Sequence, residues 1–142
     1  MIVKPDEIPL IFLAEDDIDD QELLIDAFGQ IHTNVKVKAV TNGRKAIDYL
    51  CNPENSMPCL IVLDYNLPEV NGSEILQRLS EDTRFSHVPK VVWSTSNSQH
   101  YRSMCLDLGA REYFVKPSDI NGIEKLAKEM LHYCGLLASN PL

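Results

Sequence analysis

The chain lacks a long apolar run, a cluster of basic residues and any paired-cysteine motif, and each absence removes a class of function. Nowhere in its 142 residues does an apolar stretch approach the ~18 positions that suggest a membrane span, and the first residues lack the basic, apolar, small-residue progression of a signal peptide. A cytoplasmic protein with no membrane partner is expected. Lys and Arg together number 13 against 21 Asp and Glu, a net charge of −8, and they are not gathered into patches. A polyanion is bound through clustered positive charge, so direct nucleic-acid binding is excluded. Cys51, Cys59, Cys105 and Cys134 have neither a CxxC pair nor zinc-site spacing and read as reduced small hydrophobes. His32, His87, His100 and His132 are scattered without ligand spacing and read as surface residues. No repeat, low-complexity tract or linker interrupts the chain, whose length suits one domain that needs no disulfide or structural metal to hold it.

What is present is an alternation of two periodicities. Leu10-Ile11-Phe12-Leu13-Ala14 is a short apolar run typical of a strand buried on both faces, and it stops at Glu15-Asp16-Asp17. From Ile18 to about Gln30, Leu23, Leu24, Ala27 and Phe28 recur at helical spacing. A second strand over Val35, Val37 and Ala39-Val40 alternates with Lys36 and Lys38. Asn42-Gly43 then marks a turn before a short helix carrying Ala46, Ile47 and Leu50. Leu60-Ile61-Val62-Leu63 is the most apolar strand and ends on Asp64. A helix from Ser73 to Ser80 follows, then Val91-Val92-Trp93 ending on Ser94-Thr95-Ser96, and a helix marked by Met104, Cys105 and Leu108. Tyr113-Phe114-Val115 is the fifth strand and exits at Lys116-Pro117, before a last helix from about Asp119 to Cys134. Five strands alternating with five helices predict an α/β doubly wound parallel sheet, because right-handed crossovers place helices on both faces.

In such folds the functional cleft lies beyond the carboxyl ends of the strands. Glu15, Asp16, Asp64, Ser94 and Lys116 all stand at those ends. Carboxylates gathered in one cleft repel one another unless a cation neutralises them, and hard oxygen donors suit Mg²⁺. An ionised Asp64 is a competent nucleophile toward a phosphoryl group, forming an acyl phosphate. Lys116 supplies a compact positive charge for Asp64 or a phosphoryl oxygen, and the Ser94 hydroxyl a hydrogen bond. Phosphoryl transfer asks mainly for positioning and charge neutralisation, which this set offers.

Four segments carry a resemblance. Phe12 to Asp17, Leu63-Asp64-Tyr65-Asn66-Leu67-Pro68 with Asn71-Gly72, Val92 to Ser96, and Tyr113 to Pro117 resemble, in order and separation, the signature of response-regulator receiver domains of two-component systems. The likeness covers about residues 8–135 of a domain spanning 1–142, leaving short tails. It implies a flavodoxin-like (βα)5 sheet of strand order 2-1-3-4-5. It also implies that Asp64 is the phosphoacceptor and that Glu15, Asp16, Asp64 and the Asn66 backbone carbonyl hold Mg²⁺. Ser94, Thr95 and Lys116 would then contact the phosphoryl group, Tyr113 would be the aromatic that moves with it, and Asn66 and Ser96 would tune its lifetime. The Lys116–Pro117 bond is expected to be cis by the same likeness. The stretch from Ser80 to Pro89 and the Ser94-Thr95-Ser96 triplet resemble single-domain receivers that partner phytochrome-type kinases.

The resemblance implies a phosphoacceptor that assists its own phosphorylation and dephosphorylation rather than a conventional enzyme. Its donor would be a histidine kinase or a histidine phosphotransfer protein, and its output a downstream protein target or a second copy of the chain. With the sequence ending soon after the fifth helix, no attached output domain is expected. An aspartate-nucleophile phosphatase is the nearest enzymatic alternative, but its second acid would fall at Asn66. A receiver-like scaffold that is never phosphorylated is the other alternative, although the acidic, hydroxyl and lysine positions are all retained here.

Overall fold

The computed structural model describes residues 8–136. Five strands, β1 (Leu10–Ala14), β2 (Lys36–Val40), β3 (Leu60–Asp64), β4 (Lys90–Ser94) and β5 (Glu112–Val115), form one parallel sheet in the order β2-β1-β3-β4-β5. They alternate with α1 (Ile18–Ile31), α2 (Gly43–Leu50), α3 (Gly72–Ser80), α4 (Gln99–Asp107) and α5 (Ile120–Tyr133). The doubly wound expectation and the strand order are both borne out.

Every residue of β1, β3 and β4 is buried, which explains why these segments are apolar without alternation. The strand period divides their side chains between two cores. Phe12, Ala14, Ile61, Leu63, Val92 and Tyr113 pack with α2, α3 and α4 through residues such as Ala46, Ile47, Ile75, Leu76 and Cys105. Ile11, Leu13, Leu60, Val62, Val91 and Trp93 pack on the other face with Leu24 and Phe28 of α1 and Ile123, Ala127 and Met130 of α5. β2 is an edge strand, and its lysines point to solvent.

Each helix starts on a side chain that accepts an otherwise unpaired backbone amide: Asp17 from Asp20, Asn42 from Lys45, Asn71 from Glu74, Ser98 from Tyr101 and Asp119 from Gly122. The Ser80 to Pro89 stretch holds a 3-10 turn, Thr83–Phe85, that no apolar period announced. Its Phe85 is buried and its carbonyl accepts from the buried Lys90 ammonium at 2.9 Å. His32 departs from the surface expectation: it is half-buried at the end of α1, and its Nδ1 is enclosed without a hydrogen-bond partner.

Two glycines permit close approaches that fix the loop after β3. A Cβ on Gly72 would stand 2.6 Å from the Asp64 carbonyl oxygen, and one on Gly43 would stand 1.7 Å from that of Val70. Gly72 N–H donates to Tyr65 O at 3.0 Å and Gly43 N–H to Pro68 O at 3.0 Å, so both helices are stitched to that loop. Gly29, exposed inside α1, has open space at the same position. Gly43→Ala should therefore lower unfolding stability by about 1–3 kcal/mol through overpacking. Gly29→Ala should raise it by about 0.5–1 kcal/mol through helix propensity, both measured by urea titration.

Candidate functional site

β1 delivers Glu15 to the carboxyl edge of the sheet. Its N–H donates to Val40 O at 3.0 Å, and the side-chain amide of buried Gln21 donates to the carbonyls of Glu15, 2.9 Å, and Val40, 3.1 Å. Glu15 is fully enclosed, while Asp16 beside it is exposed. Asp17 caps α1 and donates its own N–H to Glu15 Oε2 at 2.9 Å. β3 ends on Asp64, nearly buried, whose Oδ1 accepts from Asn66 N–H at 3.1 Å.

β5 brings Lys116 to the same place, its N–H donating to Ser94 O at 2.7 Å. The ammonium lies 2.7 Å from Glu15 Oε1, 3.0 Å from Asp20 Oδ2 and 3.3 Å from Asp64 Oδ2. The shortest of these contacts is ionic without hydrogen-bond geometry, which leaves Glu15 Oε1 enclosed and unbonded. The same ammonium sits 4.8 Å above the Trp93 ring, a cation–π contact. Asp20 is absent from the sequence-derived site because its place in the first turn of α1 is where an acid normally complements the helix dipole. The α1 register brings it across to Lys116.

Burial, then hydrogen bonding to Asp64, pushes the Glu15 carboxyl up to about 8. Asp64 is also raised by burial, against the opposing pull of Glu15, Lys116 and the Asn66 amide. Burial alone would lower Lys116, but its carboxylate neighbours outweigh this and hold it above its ordinary value. Burial thus raises both carboxyls of the pair although Lys116 lies beside them.

Glu15, Asp16 and Asp64 offer carboxylate oxygens all within 4.8 Å of one another. This donor set fits a hard divalent cation, and the enclosed Glu15 Oε1, ion-paired with Lys116 but without a hydrogen bond, is a potential ligand position. Ser94 is buried, its Oγ accepting from Ser96 N–H at 3.1 Å. The Tyr113 hydroxyl, on a buried ring, donates to Ser96 O at 2.7 Å. Thr95 and Asn66 are exposed at the rim. The expectation of a cis bond before Pro117 is not met, since no cis peptide occurs among the described residues. Trans is the lower-energy isomer of an X–Pro bond, and Lys116 reaches all of its carboxylate partners with it.

The family model of the response regulator receiver domain matches residues 11–128. The chain belongs to this family. The two-component response regulator ORR5 of Oryza sativa subsp. japonica is 30% identical over 96 residues, 68% of this chain and 70% of that protein. Among solved structures, the phosphorylated cyanobacterial phytochrome response regulator RcpA superposes with a TM-score of 0.85 at 28% identity, covering 96% of this chain and all of the other. The bacteriophytochrome response regulator AtBRR gives 0.74 at 26% identity over 94% and 97% of the two chains. Likeness to phytochrome-associated receivers accords with the subgroup that the Ser80 to Pro89 stretch suggests. Among the described residues, no helix of this receiver is long and apolar enough to cross a membrane.

A carboxyl whose pKa is raised by folding stabilises the fold only while protonated, so the folded form gains from the Glu15 proton at acid pH and loses that gain as pH rises from about 4.5 to about 8. In chelator, the melting temperature of this receiver should fall over that window, and Glu15→Gln, which keeps a donor toward Asp64, should flatten the fall. Added Mg²⁺ should stabilise the wild type most at the alkaline end, where both carboxyls are ionised.

Proposed function

We propose that Asp64 accepts a phosphoryl group from a histidine kinase or histidine phosphotransfer protein in a Mg²⁺-dependent reaction, and that the result is read by protein contact. The observation that carries this proposal is the convergence of Glu15, Asp16 and Asp64 beside Lys116 at one sheet edge. RcpA, a phosphorylated protein of the same fold and 28% identity, supports it. A carboxylate oxygen of Asp64 attacks phosphorus, the phosphorus–nitrogen bond of the donor phosphohistidine breaks, and the electron pair leaves with the imidazole. Glu15, Asp16, Asp64 and the Asn66 carbonyl would hold Mg²⁺, which supplies charge neutralisation when bound.

Lys116 then exchanges a carboxylate for a phosphoryl oxygen, adding a charge-assisted hydrogen bond. Ser94, whose Oγ accepts from Ser96 N–H, retains its own proton to donate to another oxygen. Thr95 at the rim contacts the group from solvent, and Asn66 and Ser96 set how readily water attacks it. Because Ser96 O holds the Tyr113 hydroxyl, movement of Ser94 is passed to β5. The output surface is that of α4, β5 and the start of α5, where Leu106, Val115 and Ile120 are exposed apolar residues. A downstream protein or a second receiver copy would cover them.

Incubation with acetyl phosphate and Mg²⁺ should add one phosphoryl group by intact mass, and Asp64→Asn should add none. An undiminished adduct on Asp64→Asn, or none on the wild type, would sink the proposal. Lys116→Ala should still take up phosphoryl while its NMR spectrum lacks most of the shifts that phosphorylation produces in α4 and β5 of the wild type. The full shift pattern in that variant would remove Lys116 from the coupling.

A further inference from the structure

At the opposite edge of the sheet from the carboxylates, two thiols line one cleft. Cys59 lies just before β3, its N–H donating to Leu10 O at 2.8 Å, and its side chain is buried. Cys134 follows the last residue of α5 and is half-buried. Both belong to the core between the sheet and α1 and α5. The Cys134 proton also has the Leu131 carbonyl within reach at 3.3 Å. Both cysteines line one cleft of about 650 Å³, whose wall carries Arg84, His87 and His132. An isolated buried cysteine is a small hydrophobe, but two thiols lining one open cleft are a dithiol that an oxidant can reach.

We infer that Cys59 and Cys134 form a reversible disulfide, made by exchange with a small disulfide that enters this cleft. The Cys59 thiolate attacks one sulfur of the small disulfide, giving a mixed disulfide and releasing one small thiolate. The Cys134 thiolate then attacks the Cys59 sulfur, closing the internal bond and releasing the second. The protein dithiol loses two electrons and two protons, and the small disulfide becomes two thiols. Attack by Cys59 is favoured because hydrogen bonding from Cys134 holds its thiol below the ordinary value, against the opposing effect of burial. Closure ties the end of α5 to the start of β3.

The test is oxidation of the native protein with oxidised glutathione, alkylation of the remaining thiols, and non-reducing peptide mapping. A Cys59–Cys134 cross-linked peptide, removed by dithiothreitol and retained in Cys51→Ser, is expected. Oxidation in urea serves as the control, because there the pairing should shift to Cys51 and Cys59, which are nearer in sequence. The inference is overturned if Cys59 and Cys134 are both recovered alkylated from the native sample, or if glutathione is found only on exposed Cys51. The same pairing in urea as in the native protein would overturn it equally, since the fold would then contribute nothing. Mapping the wild type makes the result independent of whether cysteine variants fold.

Discussion

Two carboxyl groups, Glu15 and Asp64, are drawn out of water at the carboxyl edge of a parallel sheet, with one ammonium between them. Ionised carboxylates this close and this enclosed repel strongly, and the surrounding structure is arranged around that repulsion. β1 and β3 are neighbours, so the pair could be separated only by changing the register of the sheet. Lys116 offsets part of the charge, and burial raises the affinity of both carboxyls for a proton. Gln21 fixes the backbone beneath Glu15, and the bare face of Gly72 lets the loop after β3 close against Asp64. The result is a site with an unmet demand for positive charge. A divalent ion would answer that demand, and a phosphoryl group on Asp64 would deepen it by adding negative charge.

The route from this edge to the surface passes through residues that flank the charged ones. Tyr65, next to Asp64, stacks on Tyr101 of α4 with ring centroids 4.3 Å apart, and its hydroxyl lies 3.8 Å from Met104 Sδ. Ser94 leads through Ser96 to Tyr113, and Glu112, which accepts from Tyr113 N–H, also pairs with Arg102 of α4 at 3.1 Å. Both connections therefore end on α4. That helix keeps only Cys105 buried, where each of the other four buries at least three side chains. A helix held by few apolar contacts can shift at low cost, so small displacements at the site have a compliant element to act on.

Most of this was legible in the sequence because burial on two faces and termination on a charged residue are both written in the chain order. An apolar run that stops at Glu15, Asp64 or Lys116 identifies a strand and places its last residue in the cleft. Asp20 was not legible, since its position suits a helix dipole equally well and only the packing of α1 against the sheet turns it toward Lys116. Gln21 escaped for a related reason: a glutamine on a helix reads as solvent-facing, and its two backbone acceptors come from different strands. The 3-10 turn at Thr83–Phe85 is too short to have a period. The bond before Pro117 was read by likeness rather than from residues, and it is trans.

β3 joins two unlike chemistries, with Cys59 before its first residue and Asp64 as its last. Five extended residues separate them by roughly 16 Å, beyond the Debye length of ~8 Å at physiological ionic strength, so charge at one end is felt weakly at the other. What does connect them is the layer of α1 and α5, which pack on the same sheet face. α5 ends at the thiol pair, and α1 carries Asp20 against Lys116. A tie on the end of α5 would thus bear on the site through how firmly α1 holds Asp20 in place. It would not act through the electrostatics of the carboxylates themselves. On the proposed function, Asp20 would matter most before a metal or phosphoryl group is bound, when Lys116 has only carboxylates to share. Its influence would therefore fall on the resting state of the receiver, leaving the chemistry at Asp64 to the residues of the strand ends.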